Sequence, residues 1–165
     1  GLGHIGRAVA VRAQAFGLRV LGWSYRPIEI PGGESVSLSQ LFAESDIVSL
    51  HVPLKANTRH LIDDAALAQM KPGALLINTA RGGLIDEAAL VRALQRGTIS
   101  GACLDVFAEE PLPAESPLRQ LDNVILTPHT AGYPDGPKFH VKRIAYFAAN
   151  IQRWLSGEQL QGKLN

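Results

Sequence analysis

Short aliphatic runs alternate along this chain with segments of helical apolar spacing, and this alternation restricts the fold more than any other feature. Almost uninterrupted apolarity over a few residues is typical of strands buried on both faces of a parallel sheet. The runs cover Leu18–Trp23, Asp46–Val52, Ala74–Thr79, Gly101–Val106 and Asn123–Thr127. The helical segments cover His4–Phe16, Leu38–Glu44, Asp64–Met70, Glu87–Gln95 and Lys138–Leu155. Strand and helix alternating at this spacing predict a doubly wound α/β fold with right-handed crossovers.

Local signals mark where several of these helices begin and end. Ser37, followed by Gln40 three residues later, predicts a capping box at the start of the second helix. Gly17 is placed to end the first helix, and Pro72–Gly73 to stop the third.

Composition excludes several classes of protein. With 165 residues, of which 46% are hydrophobic and 19% charged, the chain suits one globular domain and not a disordered tail. The net charge is +1 and the basic residues are scattered, so we expect neither nucleic acid nor an anionic membrane as a partner. A lone cysteine, Cys103, excludes an intrachain disulfide and a multi-cysteine metal site, and we expect no metal. No apolar run is long enough to span a membrane, which favours a soluble, cytoplasmic protein.

The chain opens on a glycine-rich motif, Gly1-Leu2-Gly3-His4-Ile5-Gly6, that leads directly into the first helical segment. In a Rossmann-like fold the first glycine allows a tight turn, and the second lets the backbone approach a pyrophosphate. The third permits close helix packing, and the helix N-terminus supplies amides and a positive dipole end. The motif therefore predicts a dinucleotide site at Gly1, Gly3 and Gly6, the alternative being a glycine-rich turn without a chemical role.

The residue that selects the dinucleotide is expected at the end of the next strand. Ser24 stands eighteen residues after Gly6, where an acid would hold the adenosine ribose hydroxyls, and Arg26 follows two residues later. A carboxylate repels a 2′-phosphate, whereas a serine with a nearby guanidinium can bind one. Ser24 and Arg26 thus favour NADP(H) over NAD(H). The alternative is that Arg26 is a solvated surface charge and that either cofactor is accepted.

Three further motifs each lie at or just beyond the end of a predicted strand. They are Asn78-Thr79-Ala80-Arg81-Gly82-Gly83, Leu104-Asp105-Val106-Phe107-Ala108-Glu109-Glu110-Pro111 and Leu126-Thr127-Pro128-His129-Thr130-Ala131-Gly132. Open α/β sheets bind their ligands at this edge. Taken singly, an arginine after a strand, such as Arg81, is usually a surface charge. Glu110 in its Pro-rich loop is more often a solvated acid, and a lone histidine such as His129 more often structural, than catalytic.

Together with the glycine motif and the run Ser45-Asp46-Ile47-Val48-Ser49-Leu50-His51-Val52-Pro53-Leu54, these motifs make the chain resemble the D-isomer-specific 2-hydroxyacid dehydrogenase family. The resemblance extends over nearly the whole chain, with the motifs in the family's order and spacing. It implies an NAD(P)-dependent oxidoreductase that acts on a small 2-oxo or D-2-hydroxy acid, such as glyoxylate or hydroxypyruvate. It also implies a homodimer, because relatives are commonly dimers that pair through this domain.

The resemblance also implies a role for individual residues. Arg81 would bind the substrate's carboxylate and carbonyl oxygen, His129 would be the catalytic histidine, and Glu110 would pair with it. Asp105 would lie near the nicotinamide carboxamide and ribose. The candidate cofactor-binding residues are Gly1, Gly3, His4, Ile5, Gly6, Ser24, Arg26, Pro53, Thr58, Thr79, Ala80, Arg81, Asp105, His129 and Gly132.

These roles agree with the chemistry of 2-oxo acid reduction, which needs a hydride donor at the carbonyl carbon and a proton donor at its oxygen. A histidine suits proton donation near neutral pH, and a neighbouring carboxylate favours its protonated form. An arginine can hold the α-carboxylate with two parallel hydrogen bonds.

Relative to the family pattern, the first strand of the sheet and most of a substrate-binding domain are missing from this chain. We expect a dinucleotide-binding domain over residues 1–137 and a helix over residues 138–165 that returns toward the substrate domain. We expect the apolar face of this helix to pack against another part of a protein. That face is formed by Ile144, Phe147, Ala148, Ile151 and Leu155. Two alternatives to an enzyme stay open: a dinucleotide-sensing interaction protein like the family's co-repressors, and an inactive truncated remnant that only binds the cofactor.

Overall fold

The computed structural model describes residues 1–25, 29–132 and 137–162. Helices and strands alternate along the described chain, as the sequence pattern predicts. The helices are α1 (His4–Ala15), α2 (Leu38–Glu44), α3 (Asp64–Gln69), α4 (Glu87–Gln95) and α5 (Pro137–Leu155). The strands are β1 (Leu21–Gly22), β2 (Glu34–Ser35), β3 (Ile47–Leu50), β4 (Leu75–Asn78), β5 (Gly101–Leu104) and β6 (Val124–Leu126).

All strand pairs in the described chain are parallel, which confirms the predicted Rossmann-like α/β class. The strands form two separate sheets rather than one: β1 pairs with β2, and the other sheet has the order β3-β4-β5-β6. Among the described residues, no strand lies between β1 and β3 to join the two sheets. The sequence pattern misses β2 because Glu34 and Ser35 are polar and exposed.

One face of the four-stranded sheet carries the core. Alternate residues such as Val48, Leu76 and Leu104 are buried in one cluster with residues of α3 and α4, among them Leu67 and Leu90. Burial of this face removes its apolar side chains from water, which stabilises the sheet.

The opposite face of the same sheet is more open. Ile47, Leu75 and Ile125 are 46%, 39% and 64% exposed. The expectation of strands buried on both faces is therefore wrong for β3, β4 and β6, whose second face carries these exposed residues. It is confirmed for β5, where every residue is buried or half-buried.

The predicted helix ends are largely confirmed. The Ser37 hydroxyl accepts a hydrogen bond from the Gln40 amide at 3.2 Å. The reciprocal half of the capping box does not form, because the Gln40 side chain donates to Glu44 instead, at 2.8 Å. Gly17, with φ of +80°, follows the last turn of α1 in the left-handed conformation that favours glycine.

The chain divides into two compact units, Gly1–Thr130 and Ala131–Asn165. The first contains both sheets and α1 to α4. The second contains α5, whose described apolar side chains Ile144, Phe147, Ile151 and Leu155 are all exposed. The functional boundary at residue 137 stays a prediction. Among the described residues, no helix combines the length and apolar character needed to cross a lipid bilayer.

Candidate active site

The glycine motif forms a tight turn at the start of α1. A Cβ on Gly1 would lie 2.6 Å from the His51 carbonyl carbon, and one on Gly6 would lie 2.0 Å from the Gly1 oxygen, so both positions require glycine. A Cβ on Gly3 would meet no atom within 4 Å, so Gly3 borders open space.

Gly3 is also the N-cap of α1, and no described side chain accepts a hydrogen bond from the first turn at that cap. The amides of His4 and Ile5 begin the helix, where a helix leaves its N–H groups without intrahelical partners. An open turn and uncapped amides at a positive dipole end suit a pyrophosphate, so these residues fit the predicted dinucleotide.

The proposed selectivity position lies just after β1. Ser24 is half-buried, and Tyr25 beyond it is exposed. Arg26 lies outside the described residues, so its predicted role in binding a 2′-phosphate stays a prediction.

Thr58 is part of a compact turn that starts at Pro53. The Thr58 side chain is 1% exposed, its hydroxyl donates to the Pro53 carbonyl at 2.7 Å, and it accepts from the Lys55 amide at 2.7 Å. Thr58 thus shapes the turn from inside, while Pro53 is exposed on it. Their predicted contact with the cofactor stays a prediction.

A buried asparagine that the sequence interpretation did not single out holds the loop after β4. Asn78 is fully buried; its amide nitrogen donates to the Arg81 carbonyl at 2.9 Å, and its amide oxygen accepts from the Ala80 N–H at 3.0 Å. The available signal was a polar residue two positions after Leu76, on the inward face of the strand. With the loop fixed by these two hydrogen bonds, Thr79 and the Arg81 side chain are exposed at the carboxyl end of the sheet.

The loop after β4 packs directly on the loop after β5. A Cβ on Gly82 would lie 1.8 Å from the Phe107 carbonyl carbon, so the two backbones are in contact. The Ala108 amide donates to the Glu87 carboxylate at 2.6 Å, which ties the second loop to the start of α4. The Arg81 and Glu110 segments are therefore supported by each other.

Glu110 and His129 form a close pair. His129 Nδ1 lies 2.7 Å from one Glu110 carboxylate oxygen, and the other oxygen accepts from the Phe107 amide at 3.0 Å. The His129 hydrogen bond, then the Phe107 amide, and more weakly the charges of His129 and Arg81 lower the pKa of Glu110. Glu110 is therefore a carboxylate at neutral pH, and Arg81 is near enough for its charge to act on it.

Asp105 fixes the backbone that carries His129. Its carboxylate is buried and accepts from the Thr127 hydroxyl at 2.5 Å and from the Thr130 amide at 2.9 Å. Its carbonyl accepts from the His129 amide at 2.8 Å. The predicted position of Asp105 near the nicotinamide stays a prediction; the structure adds this contact with the histidine loop.

A cavity of about 550 Å³ opens beside the pair, within the usual size range of small-molecule sites. Glu110 and His129 both line it, with Phe107, Leu112 and Leu126 among its apolar walls. Arg81 is not among its lining residues. This cavity is therefore lined by two of the three predicted catalytic residues.

Two further residues remain, of which only Gly132 is a predicted site residue. Gly132 belongs to the second unit, so its predicted contact with the cofactor stays a prediction. His51 is half-buried, its Nε2 lies 2.9 Å from the Ser49 hydroxyl, and burial lowers the pKa of its ring.

Within the described ranges, no group of three or more His, Cys, Asp or Glu side chains is placed to hold a metal ion.

Comparison with known proteins gives a family. A model of the D-isomer specific 2-hydroxyacid dehydrogenase NAD binding domain matches residues 1–131. A glyoxylate reductase of Korarchaeum cryptofilum is 50% identical over 135 residues, which cover 79% of this chain and 41% of that protein. An (S)-sulfolactate dehydrogenase of Chromohalobacter salexigens is 50% identical over 137 residues, covering 80% of this chain and 44% of that protein.

A solved structure extends the likeness to three dimensions. The D-isomer specific 2-hydroxyacid dehydrogenase of Xanthobacter autotrophicus Py2, in complex with NADPH and MES, superposes with a TM-score of 0.92 at 38% identity. The match covers all of this chain and 68% of that one. The chain spans half or less of the length of the curated relatives it matches here.

Proposed function

The chain belongs to the D-isomer-specific 2-hydroxyacid dehydrogenase family, and from this premise we propose that it supplies the dinucleotide-binding and catalytic part of an NAD(P)-dependent oxidoreductase. The proposed reaction interconverts a small 2-oxo acid and its D-2-hydroxy acid, with glyoxylate or hydroxypyruvate as substrates to test. The observation that carries the proposal is the 2.7 Å contact between His129 and Glu110. Arg81, the third proposed catalytic residue, follows β4, which is the neighbour in the sheet of β5, the strand before Glu110.

The residues around the start of α1 would hold the dinucleotide. The open turn at Gly3 and the uncapped amides of His4 and Ile5 suit its pyrophosphate. Ser24, which stands where an acid would exclude a 2′-phosphate, supports a preference for NADP(H). The NADPH bound to the Xanthobacter relative supports the same class of cofactor. When bound, a reduced nicotinamide would supply the hydride for the carbonyl carbon and would itself be left oxidised.

The chain's own residues would supply the proton and orient the substrate. Arg81 would bind the α-carboxylate through its forked guanidinium and polarise the carbonyl group. Protonated His129 would give the proton on Nε2 to the carbonyl oxygen, while Glu110 holds Nδ1 and balances the charge of the ring. The carbonyl carbon gains a hydride and its oxygen a proton, which balances the reduction. In the reverse direction, neutral His129 removes the proton from the hydroxyl group.

The first test is binding and turnover in the intact natural protein. NADPH and NADH are titrated separately by nicotinamide fluorescence, and then glyoxylate or hydroxypyruvate is added while oxidation is followed. Binding with turnover supports the dehydrogenase, with tighter NADPH binding supporting the role of Ser24. Binding without turnover of either acid favours the dinucleotide-sensing alternative, and binding of neither dinucleotide contradicts the proposed function.

A matched pair of histidine variants tests the catalytic assignment. His129 and His60 are both exposed and both have positive φ, 54° and 53°, a conformation that asparagine tolerates. We expect His129→Asn to lower kcat by roughly two to four orders of magnitude with dinucleotide affinity retained. His60→Asn should leave both unchanged. Equal kcat for the two variants would contradict the catalytic role of His129, and loss of dinucleotide binding in His129→Asn would show that its main role lies in cofactor binding or in the fold.

Three further aspects of the protein are proposals. The homodimer and the division of roles at residue 137 are supported by the resemblance, and the cytoplasmic location by the sequence composition. Sedimentation of the intact protein at several concentrations measures the oligomeric state directly.

A further inference from the structure

Tyr25 connects two loops that are far apart in sequence. Its hydroxyl donates to the Asn57 carbonyl at 2.9 Å, across 32 residues. Its ring meets that of Trp23 edge-on, with the ring centres 4.7 Å apart, and is 57% exposed. Tyr25 therefore joins the end of β1 to the turn at residues 53–58.

The turn is a rigid anchor for this hydrogen bond. Thr58, next to Asn57, is buried and bonded through its hydroxyl to the backbone of Pro53 and Lys55. The Asn57 carbonyl thus belongs to an ordered turn, and the hydrogen bond from Tyr25 ties the segment after β1 to it. Ser24, the residue before Tyr25, is the part of the backbone most directly constrained.

We propose that Tyr25 is a positioning residue that sets cofactor selectivity. The inference rests on the proposed function, since it assumes that the adenosine end of a dinucleotide lies against Ser24. A 2′-phosphate bound there would accept a hydrogen bond from the Ser24 hydroxyl. Fixing the position of that donor in advance reduces the entropy lost on binding. NADH lacks this phosphate, so its affinity depends less on how well the backbone at Ser24 and Tyr25 is ordered. The hydrogen bond from Tyr25 therefore favours NADPH more than NADH.

The test compares dinucleotide affinities of the intact natural protein and its Tyr25→Phe variant, measured by nicotinamide fluorescence. The variant keeps the ring against Trp23 and removes only the hydroxyl. Since one hydrogen bond contributes about 0.5–1.5 kcal/mol, we expect the Kd for NADPH to rise about twofold to twelvefold and that for NADH by a clearly smaller factor. Tyr25→Ala should change the ratio of the two constants in the same direction and at least as far.

Tyr146→Phe is the matched control, because the Tyr146 hydroxyl also donates to a backbone carbonyl, that of Gln161, at 2.6 Å. It should leave both constants unchanged. If Tyr25→Phe changes both affinities equally or neither, the inference is wrong while the proposed function stands. If the unmodified protein binds neither dinucleotide, the proposed function fails and the inference fails with it.

Discussion

His129 combines a rare backbone conformation with a specific side-chain contact. Its φ of +54° lies in the left-handed region, which costs free energy for a residue with a Cβ. Hydrogen bonds from the His129 and Thr130 amides to Asp105 hold the chain in this conformation. The result is a ring placed with Nδ1 against Glu110. Since His60 has nearly the same φ and no proposed role, the contact with Glu110, and not the backbone conformation, supports the proposed role of the His129 side chain.

At the same scale, Glu110→Gln tests the contribution of the carboxylate, with the exposed neighbour Glu109→Gln as control. Gln keeps the shape of the side chain but cannot balance the charge of a protonated ring. We expect kcat to fall roughly tenfold to a thousandfold for Glu110→Gln and to stay unchanged for Glu109→Gln. Steady-state kinetics of the intact protein measure both. Equal rates for the two variants would contradict a role for the pair.

The same variant has an expected effect on acid stability. Pairing lowers the pKa of Glu110 in the folded protein, so its stabilising effect is fully present above the ordinary pKa and is lost as pH falls through the lowered one. Unfolding temperatures of the unmodified protein and of Glu110→Gln should therefore differ at neutral pH and converge in acid. The difference is small because both partners are more than a third exposed. A difference that grows in acid would refute this.

At the scale of elements, the loops after β4 and β5 meet at Gly82. A Cβ there would overlap the Phe107 backbone, and neither strand end can move without disturbing the sheet. We expect Gly82→Ala to destabilise the protein by about 1–3 kcal/mol or more and to lower turnover, because it displaces the segments that carry Arg81 and Glu110 together. Thermal unfolding and kinetics measure the two effects. Gly73→Ala is the control, since a Cβ on Gly73 would meet no atom within 4 Å; similar losses for both variants would contradict the contact.

The sequence predicts elements better than it predicts the contacts between them. The helix α4 was predicted with the bounds that the structure gives it, because its ends and its apolar spacing are local signals. The strand β2 was missed because Glu34 and Ser35 form a strand only by pairing with β1. Asn78 and Gly82 were also missed as supports of the site, because their importance lies in which backbone atoms reach them after folding.

At the scale of the whole molecule, the motifs predicted which side chains meet, but not how they are supported. The pairing of Glu110 with His129 is predicted from family motifs alone, and in the structure the two side chains lie 2.7 Å apart, while their catalytic role stays a prediction. Its supports come from Phe107, Asp105 and the loop around Gly82, which parallel strands bring to one edge of the sheet. No local pattern in the sequence encodes these distances.

The exposed stripe on α5 gives the last prediction, at this same scale. Ile144, Phe147, Ile151 and Leu155 are between 57% and 70% exposed on one helix. Contiguous apolar surface of this kind is unfavourable in water, so we expect it to be covered in the intact natural protein by another part of that protein or by a second copy. Ile151→Glu would place a charge within the covered surface and should lower the unfolding temperature by several degrees.

Gln152→Glu is the control for that variant, because it adds the same charge at the adjacent exposed residue. Sedimentation of Ile151→Glu distinguishes the two ways in which the stripe can be covered. A shift to monomer indicates that a second copy covers it. An unchanged oligomeric state with reduced stability indicates that another part of the same chain covers it. If both variants unfold and sediment like the unmodified protein, the stripe is solvated. In that case the apolar spacing of α5 has no packing role, and the helix owes its stability to its own backbone hydrogen bonds and side-chain pairs.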